Sequence, residues 1–184
     1  NELALKYFQE AIDLAEEMDF LSAVTDPIDG MANVYMEMDS LDKALELLEK
    51  GERVADETNN FISRLTMYSS LGKVHRKLGN ETTARDYYQR SCDLAAESGD
   101  DNFYVAYASF NMGDFERLMD NFSVARPWIA KAIQIWERDE EIDRLQEAYL
   151  GMSLVEKELS NYENALENYE KYIEVRDTIL NEER

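Results

Sequence analysis

The sequence is poor in cysteine, proline and glycine, with one, two and seven of these among its 184 residues. A single cysteine, Cys92, cannot form an internal disulfide or belong to a CxxC redox or zinc motif. So few prolines and glycines, beside 45% hydrophobic and 32% charged residues, predict an ordered, helix-rich protein. No apolar run approaches the roughly 20 residues that a membrane-spanning helix needs. No signal peptide opens the chain, and a start at Asn1 rather than Met indicates a piece of a longer protein.

Positive charge is also scarce, because 19 lysines and arginines stand against 40 aspartates and glutamates, for a formal net charge of −21. Nucleic-acid binding rests largely on attraction to the phosphate backbone, which such a chain repels. We therefore expect no nucleic-acid partner. The composition is compatible with the cytoplasm and with a disulfide-free periplasmic domain, and both compartments stay open.

The chain repeats itself about every 40 residues. Five segments align on an alanine at spacings of 40 or 41 residues: Ala4, Ala44, Ala84, Ala125 and Ala165. Four residues later comes a large apolar side chain: Phe8, Leu48, Tyr88, Ile129 and Tyr169. Because positions four apart share one face of a helix, each segment is predicted to be an amphipathic helix.

A second helix is predicted ahead of each aligned segment. Side chains that can cap a helix start lie four residues before the alanine: Ser40, Asn80, Asn121 and Asn161. The stretch before each cap is also periodic, and a small residue recurs within it at a fixed distance from the alanine: Ala32, Gly72 and Gly113. The repeating unit is therefore a pair of antiparallel helices joined by a short polar turn.

This pattern resembles the tetratricopeptide repeat (TPR), which has a Leu-Gly step, a tyrosine, and an Ala-x3-Phe step followed by a small residue. The matching residues are Leu71, Gly72, Tyr35, Ala4, Phe8 and Ala11. The resemblance covers the whole chain and implies an all-α, right-handed superhelix of antiparallel helix pairs. A half repeat over 1–18 precedes four repeats over about 19–58, 59–99, 100–139 and 140–184. Three repeats replace the tyrosine, by His75, Glu116 and Glu156.

Both prolines fall where a helix is expected. Pro27 lies within the first helix of its repeat, where Thr25 or Asp26 can cap a new start, so we expect a break or kink. Pro127 lies six residues after Asn121 and removes a helical hydrogen bond. We therefore expect that helix to start late or to bend.

Catalytic and metal-binding motifs are missing. The sequence has no GxxxxGK[ST] phosphate loop, no HExxH zinc helix and no GxSxG nucleophile elbow. His75 and Cys92 occupy different positions of the repeat, which argues against a Cys-His dyad. His75 is interpreted as a structural residue rather than a metal ligand, because a metal site needs further ligands. We expect no enzyme activity, cofactor or metal in this part of the protein.

Binding is the function that the resemblance implies. In TPR proteins the first helix of each pair lines a concave groove that takes a peptide or protein segment. The groove-facing positions of this sequence hold nine candidates: Asn33, Met36, Lys73, Arg76, Lys77, Tyr107, Phe110, Asp114 and Arg117. The cluster of cations Lys73, Arg76 and Lys77 favours an acidic or carboxylate-terminated ligand. The alternative is that these cations only neutralise neighbouring acids.

The last segment, YENALENYEKYIEVRDTILNEER, carries an apolar stripe, and repeat arrays need polar terminal caps. We expect Tyr172, Ile179 and Leu180 to contact a downstream helix or a second copy in a homodimer. The ending resembles the junction that leads from TPR regions into a diguanylate cyclase (GGDEF) or histidine kinase domain in bacterial signalling proteins. This resemblance implies a sensory input region. We expect no direct membrane insertion by this part of the protein, because it has no long apolar run. A stand-alone TPR adaptor and a dimerisation module are the alternatives.

Overall fold

The computed structural model describes residues 1–99 and 102–182, which contain nine α-helices. These are α1 Glu2–Glu17, α2 Thr25–Glu37, α3 Leu41–Glu57, α4 Phe61–Lys77, α5 Glu81–Glu97, α6 Phe103–Leu118, α7 Phe122–Arg138, α8 Ile142–Glu158 and α9 Tyr162–Glu182. A one-turn 3₁₀ helix, Leu21–Ala23, lies between α1 and α2. The predicted all-α architecture of helix pairs is confirmed. Within the described ranges, no helix has the length and apolar character to cross a membrane.

The turns between helices recur at half the spacing of the sequence repeat. Each contains one residue with a left-handed backbone conformation: Asp19, Asp39, Asn59, Gly79, Gly99, Asp120, Glu140 and Ser160. In most of these turns the next amide donates to the carbonyl five residues back, as from Ser40 to Tyr35 (2.8 Å). This bond satisfies a carbonyl that the helix end leaves free. Each sequence repeat is thus two copies of one helix and turn.

Two of the predicted caps use their side chains differently from the prediction. Asn121 directly precedes α7 but makes no side-chain bond to the amides of that helix. Its Nδ2 instead donates to Oε2 of Glu116 (2.8 Å). Asn161 makes the equivalent bond to Glu156 (2.7 Å). Both glutamates are buried, so the two amides satisfy carboxylates inside the repeat, at the position where TPR proteins have tyrosine.

Small residues let paired helices pack closely. A Cβ atom added to Gly72 would lie 2.8 Å from the Tyr88 ring, and one added to Gly113 would lie 2.7 Å from Ile129. Both glycines therefore have the close-approach role that the sequence predicts. Four of the aligned alanines are buried in the same way: Ala44, Ala84, Ala125 and Ala165.

The two prolines have different outcomes. Pro27 lies in the first turn of α2, which begins at Thr25 after the 3₁₀ helix, so the predicted break is confirmed. Pro127 lies inside α7, which begins at Phe122 directly after Asn121. The prediction of a late start is therefore wrong. The first four amides of a helix have no intrahelical partner, so proline removes a hydrogen bond from α7 but none from α2.

The chain divides into two compact units, Asn1–Leu94 (unit 1) and Ala95–Arg184 (unit 2). The core of unit 1 includes aliphatic and methionine side chains: Ile12, Ile28, Leu48, Met67 and Leu71. In unit 2 the largest fully buried apolar side chains come from α6, α7 and α8: Phe115, Ile129, Trp136 and Val155. Each unit therefore has its own hydrophobic core.

Candidate functional site

In unit 1, α2 and α4 present a polar surface, which we call face 1. It consists of Asp29, Asn33, Ser70, Lys73, Arg76 and Lys77. The Ser70 hydroxyl of α4 donates to one oxygen of the Asp29 carboxylate in α2. The Asn33 amide donates to the other oxygen (3.0 Å). These bonds fix the position of Asp29 between the two helices and orient the Asn33 side chain beside it.

Asp29 is the perturbed acid of face 1. Burial raises the pKa of its carboxyl above the usual 3.8, although the Ser70 hydrogen bond and the charge of Lys73 act in the opposite direction. The carboxyl therefore keeps its proton to a higher pH than an exposed aspartate does.

The three cations of face 1 have no ion pair within the described part of the chain. No carboxylate oxygen there lies within 4.0 Å of the side-chain nitrogens of Lys73, Arg76 or Lys77. Lys77 is exposed and the other two are half-exposed. The attraction between Lys73 and Asp29 acts over a longer distance. Direct pairing with acidic neighbours therefore does not account for this cluster.

Met36 does not belong to face 1. Its side chain is 6% exposed and packs in the core of unit 1. Its position three residues after Asn33 does not bring it to the surface, since it packs with the other core residues of this unit. Met36 therefore offers no surface to a ligand, which corrects its predicted place in the groove.

His75 packs against a tyrosine. Its ring stacks on Tyr87 of α5, with centroids 5.5 Å apart and planes inclined by 9°. Burial lowers the pKa of His75 below 6.5, while the charges of Glu49 and Glu52 act in the opposite direction. Among the described residues, no group of three or more His, Cys, Asp or Glu side chains could hold a metal ion.

In unit 2, α6 and α8 enclose a recess of about 290 Å³. Its lining comes from Phe110, Asp114, Arg117, Glu147, Leu150, Gly151 and Leu154. Three of these are predicted groove residues, namely Phe110, Asp114 and Arg117. The Arg117 guanidinium donates twice to Asp114, from Nε (2.9 Å) and from Nη2 (2.6 Å), so its charge is neutralised locally.

A second cavity, of about 510 Å³, shares Arg117 and Leu154 with the recess. Its other lining residues are Leu118, Asp120, Phe122 and Glu158. We call the recess and this cavity together face 2. Tyr107, the remaining predicted residue, stacks on Phe103 with ring centroids 6.5 Å apart.

The last helix leaves apolar side chains uncovered. Tyr162, Leu166 and Tyr169 lie on one side of α9 and are 68%, 59% and 46% exposed. Of the predicted contact residues, Leu180 is 49% exposed, whereas Tyr172 and Ile179 are half-buried. The uncovered surface is therefore centred on the first half of α9, ahead of the predicted residues.

Sequence reasoning missed two residues of face 1 and eight of face 2, among them Asp29, Ser70, Glu147 and Gly151. The repeat register contains the signal that could have found these four. Ser70 stands in the same register to Ala84 as Gly151 does to Ala165. In the same way, Asp29 takes the register position of Phe110, and Glu147 takes that of Tyr107.

Known proteins resemble this chain in sequence. The family model of the tetratricopeptide repeat matches residues 27–97 and 104–178. Human outer dynein arm-docking complex subunit 4 is 24% identical over 130 residues, which cover 67% of this chain and 19% of that protein. The Bos taurus protein of the same name is 24% identical over 128 residues, covering 66% and 18%. The chain spans about a fifth of the length of these relatives.

Solved structures resemble it in fold. Aspartyl phosphate phosphatase F from Bacillus subtilis has a TM-score of 0.76 at 14% identity, over 96% of this chain and 50% of that one. BtubC (BKLC) from P. vanneervenii has a TM-score of 0.64 at 14% identity, over 97% and 91%. MamA has a TM-score of 0.58 at 16% identity, over 96% and 94%. Because the family model matches most of its residues, the chain belongs to the tetratricopeptide repeat family, whose repeats are protein-interaction modules.

Proposed function

We propose that this tetratricopeptide repeat protein captures an acidic or carboxylate-terminated segment of a partner protein on face 1. The observation that carries the proposal is the cluster of Lys73, Arg76 and Lys77. Within the described ranges these three cations have no intramolecular ion pair, although the chain has a net charge of −21. Cations that stay unpaired in an acidic protein are available to an anion from outside.

The arrangement of face 1 suits a carboxylate. The Lys73 ammonium can donate to it, and the Asn33 amide lies on the adjacent helix, oriented by Asp29. Arg76 offers a planar fork for a second acidic group. Charge-assisted bonds of this kind contribute about 1.5–3 kcal/mol each. The groove residues predicted in unit 2, Tyr107, Phe110, Asp114 and Arg117, are proposed to bind a partner segment separately from face 1.

The test uses a labelled acidic peptide with a free C-terminal carboxylate and the same peptide with an amidated end. Fluorescence anisotropy compares the wild-type chain with the face 1 variant, Lys73→Glu, Arg76→Glu and Lys77→Glu. The matched control, Lys6→Glu, Lys43→Glu and Arg53→Glu, makes the same change of charge at exposed positions elsewhere in unit 1. We expect binding to be lost only in the face 1 variant. Equal binding by all three proteins would contradict the proposal.

The chain's larger role is proposed to be the input region of a bacterial signal-transduction protein with a diguanylate cyclase or histidine kinase output. The resemblance of the ending YEKYIEVRDTILNEER supports this role. A stand-alone adaptor is the second candidate, since a curated relative is named as a subunit of a docking complex. The parent gene distinguishes the two, because it either encodes a catalytic domain or does not.

A third role is contact through α9 with a downstream helix or a second copy, involving Tyr172, Ile179 and Leu180. The exposed side chains of Tyr162, Leu166 and Tyr169 support it. Light scattering over a range of concentrations, with Leu166→Glu and Leu180→Glu as disruptive variants, tests the second copy. A monomer at all concentrations would exclude a homodimer.

A further inference from the structure

Most glycines inside the helices have a packing reason. A Cβ atom at Gly30 would lie 2.5 Å from the Phe8 ring, and the corresponding atoms at Gly72 and Gly113 would lie within 3 Å of side chains on a neighbouring helix. Gly51 is likewise closed off by a methionine sulfur. At each of these positions a larger residue would force a neighbour to move.

Gly151, in the middle of α8, has no such reason. Among the described residues, a Cβ atom added there would meet only one neighbouring atom within 4 Å, Cδ1 of Ile129 at 3.8 Å. Glycine inside a helix is less favourable than alanine, so helix propensity alone favours a larger residue at this position. What Gly151 does provide is space, because it lines the recess of about 290 Å³ between α6 and α8.

Three large apolar side chains form part of the recess wall. Phe110 comes from α6, and Leu150 and Leu154 come from α8, on either side of the glycine. Leu154 is 40% exposed, so part of this apolar surface is in water until something covers it. The recess has room for an aliphatic side chain, and its apolar part can remove that side chain's surface from water.

The rim of face 2 is acidic. Its only cation, Arg117, is already paired with Asp114. In the described ranges, no lysine or arginine nitrogen lies within 4.0 Å of the carboxylates of the other three acids on this face, Asp120, Glu147 and Glu158. Face 2 therefore has the opposite charge from face 1 and attracts cations.

We propose that the recess is a binding site for a leucine-sized aliphatic side chain flanked by lysine or arginine in a partner segment. The apolar side chain fills the space that Gly151 leaves, and the flanking cations pair with the carboxylates of the rim. This inference rests on the proposed binding function but concerns a different face and a ligand of opposite charge. The two can therefore fail separately.

The test uses three labelled peptides on a glycine and serine background, containing Lys-Leu-Lys, Lys-Ala-Lys or Glu-Leu-Glu. Anisotropy at low salt, with protein up to about 1 mM, measures their affinity for the full chain. We expect Lys-Leu-Lys to bind about tenfold more tightly than either of the others. The proposal is overturned if Lys-Leu-Lys does not bind, or if Lys-Ala-Lys or Glu-Leu-Glu binds equally well.

Two substitutions at Gly151 test whether the Lys-Leu-Lys peptide binds in the recess. Gly151→Leu fills the recess and should weaken Lys-Leu-Lys binding at least tenfold. Gly151→Ala adds one methyl group without a steric clash and should weaken it several-fold, which keeps the test valid if the leucine variant does not fold. The matched control is Ala130→Leu, at an exposed position of α7 outside face 2. Unchanged binding by both Gly151 variants, or equal loss in the control, would contradict the assignment.

These outcomes are independent of face 1. Loss of acidic-peptide binding in the face 1 variant reports only on the proposed function. A Lys-Leu-Lys peptide that binds the face 1 variant as it binds the wild type, and fails only with Gly151 variants, supports the recess. If the basic peptide loses affinity only in the face 1 variant, the recess is not its site.

Discussion

Face 1 and face 2 are built from the same element of the repeat but differ in charge. One register position, on the first helix of every pair, lies at a fixed distance ahead of each aligned alanine. It holds Asn33 and Lys73 in unit 1, and Asp114 and Leu154 in unit 2. A single position of the scaffold thus supplies an amide, a cation, an anion and an aliphatic group. Packing determines where the position lies, and the residue that occupies it determines the chemistry.

The two units also differ in how they use glycine. Gly30 and Gly151 share a register position, because Gly30 is placed relative to Ala44 as Gly151 is relative to Ala165. At Gly30 a Cβ atom would lie 2.5 Å from Phe8, whereas at Gly151 the space is open. The same residue at the same position therefore serves helix packing in unit 1 and shapes a recess in unit 2. A glycine that helix packing does not require is therefore a candidate for a binding role.

The largest expected effect is on acidic-peptide binding, when the difference in charge between face 1 and face 2 is removed. Replacing Lys73, Arg76 and Lys77 by glutamate makes face 1 acidic like face 2. The acidic peptide should lose about 100-fold in affinity, because at least two charge-assisted contacts disappear and repulsion replaces them. Titration by anisotropy measures the change, with circular dichroism to verify the fold. A loss under threefold would mean that the cations are not contact residues.

The next effect concerns a packing glycine. Gly113→Ala should lower the free energy of unfolding by about 2 kcal/mol. The new Cβ atom would lie 2.7 Å from Ile129 Cγ1 and 3.0 Å from the Ile129 backbone nitrogen, which cannot rotate away. Urea unfolding followed by tryptophan fluorescence measures it, since Trp128 and Trp136 both lie in unit 2. If the variant has the same urea midpoint as wild type, α6 and α7 can move apart without loss of stability.

Gly151→Ala should instead raise the free energy of unfolding. Helix propensity favours alanine by up to about 1 kcal/mol, and the added methyl group meets no clash. The same urea titration should show a higher midpoint than wild type. Destabilisation by Gly151→Ala would mean that the recess is smaller than the structure indicates, and the contrast between the two glycines would not hold.

The smallest effect is a pH dependence in face 1. Burial raises the folded-state pKa of Asp29, so this carboxyl still holds its proton in the folded protein just above pH 3.8, where it loses the proton in the unfolded chain. This contribution to stability is present at low pH and is lost as pH rises through the folded-state pKa. In urea unfolding at pH 7, Asp29→Asn should therefore have a higher midpoint than wild type. The difference between the two midpoints should shrink toward pH 4. A constant difference between pH 4 and pH 7 would show that Asp29 titrates normally.

Periodicity in the sequence predicted much of the fold. The aligned alanines, the roles of Gly72 and Gly113 and the break before Pro27 all follow from spacing, because packing repeats with the helix. The prediction that α7 starts late at Pro127 was wrong, because a helix can lose one hydrogen bond and continue when its other contacts are kept. The turns were harder to foresee, since residues such as Glu140 adopt a left-handed backbone that usually favours glycine.

The site was less predictable than the fold. Face 1 depends on the contact of Asp29 with Ser70 on another helix, far away in the sequence, which no local pattern shows. Met36 was predicted to face the groove because it shares a register position with Arg76, yet it packs in the core. Gly151 follows leucine as Gly72 does, but lies two register positions earlier, so it matched no expected role. Surface side chains differ from one repeat to the next, whereas an analysis of periodicity detects only residues that recur in every repeat.

The most direct test of the contrast between the faces is one NMR titration of the ¹⁵N-labelled full chain. The acidic peptide and the Lys-Leu-Lys peptide are added to separate samples, and the backbone amide shifts are mapped. We predict that the acidic peptide shifts amides around Asn33 and Lys73, and that the basic peptide shifts those around Phe110 and Gly151. If both peptides shift the same amides, or neither shifts any, the two faces are not separate binding surfaces of opposite charge.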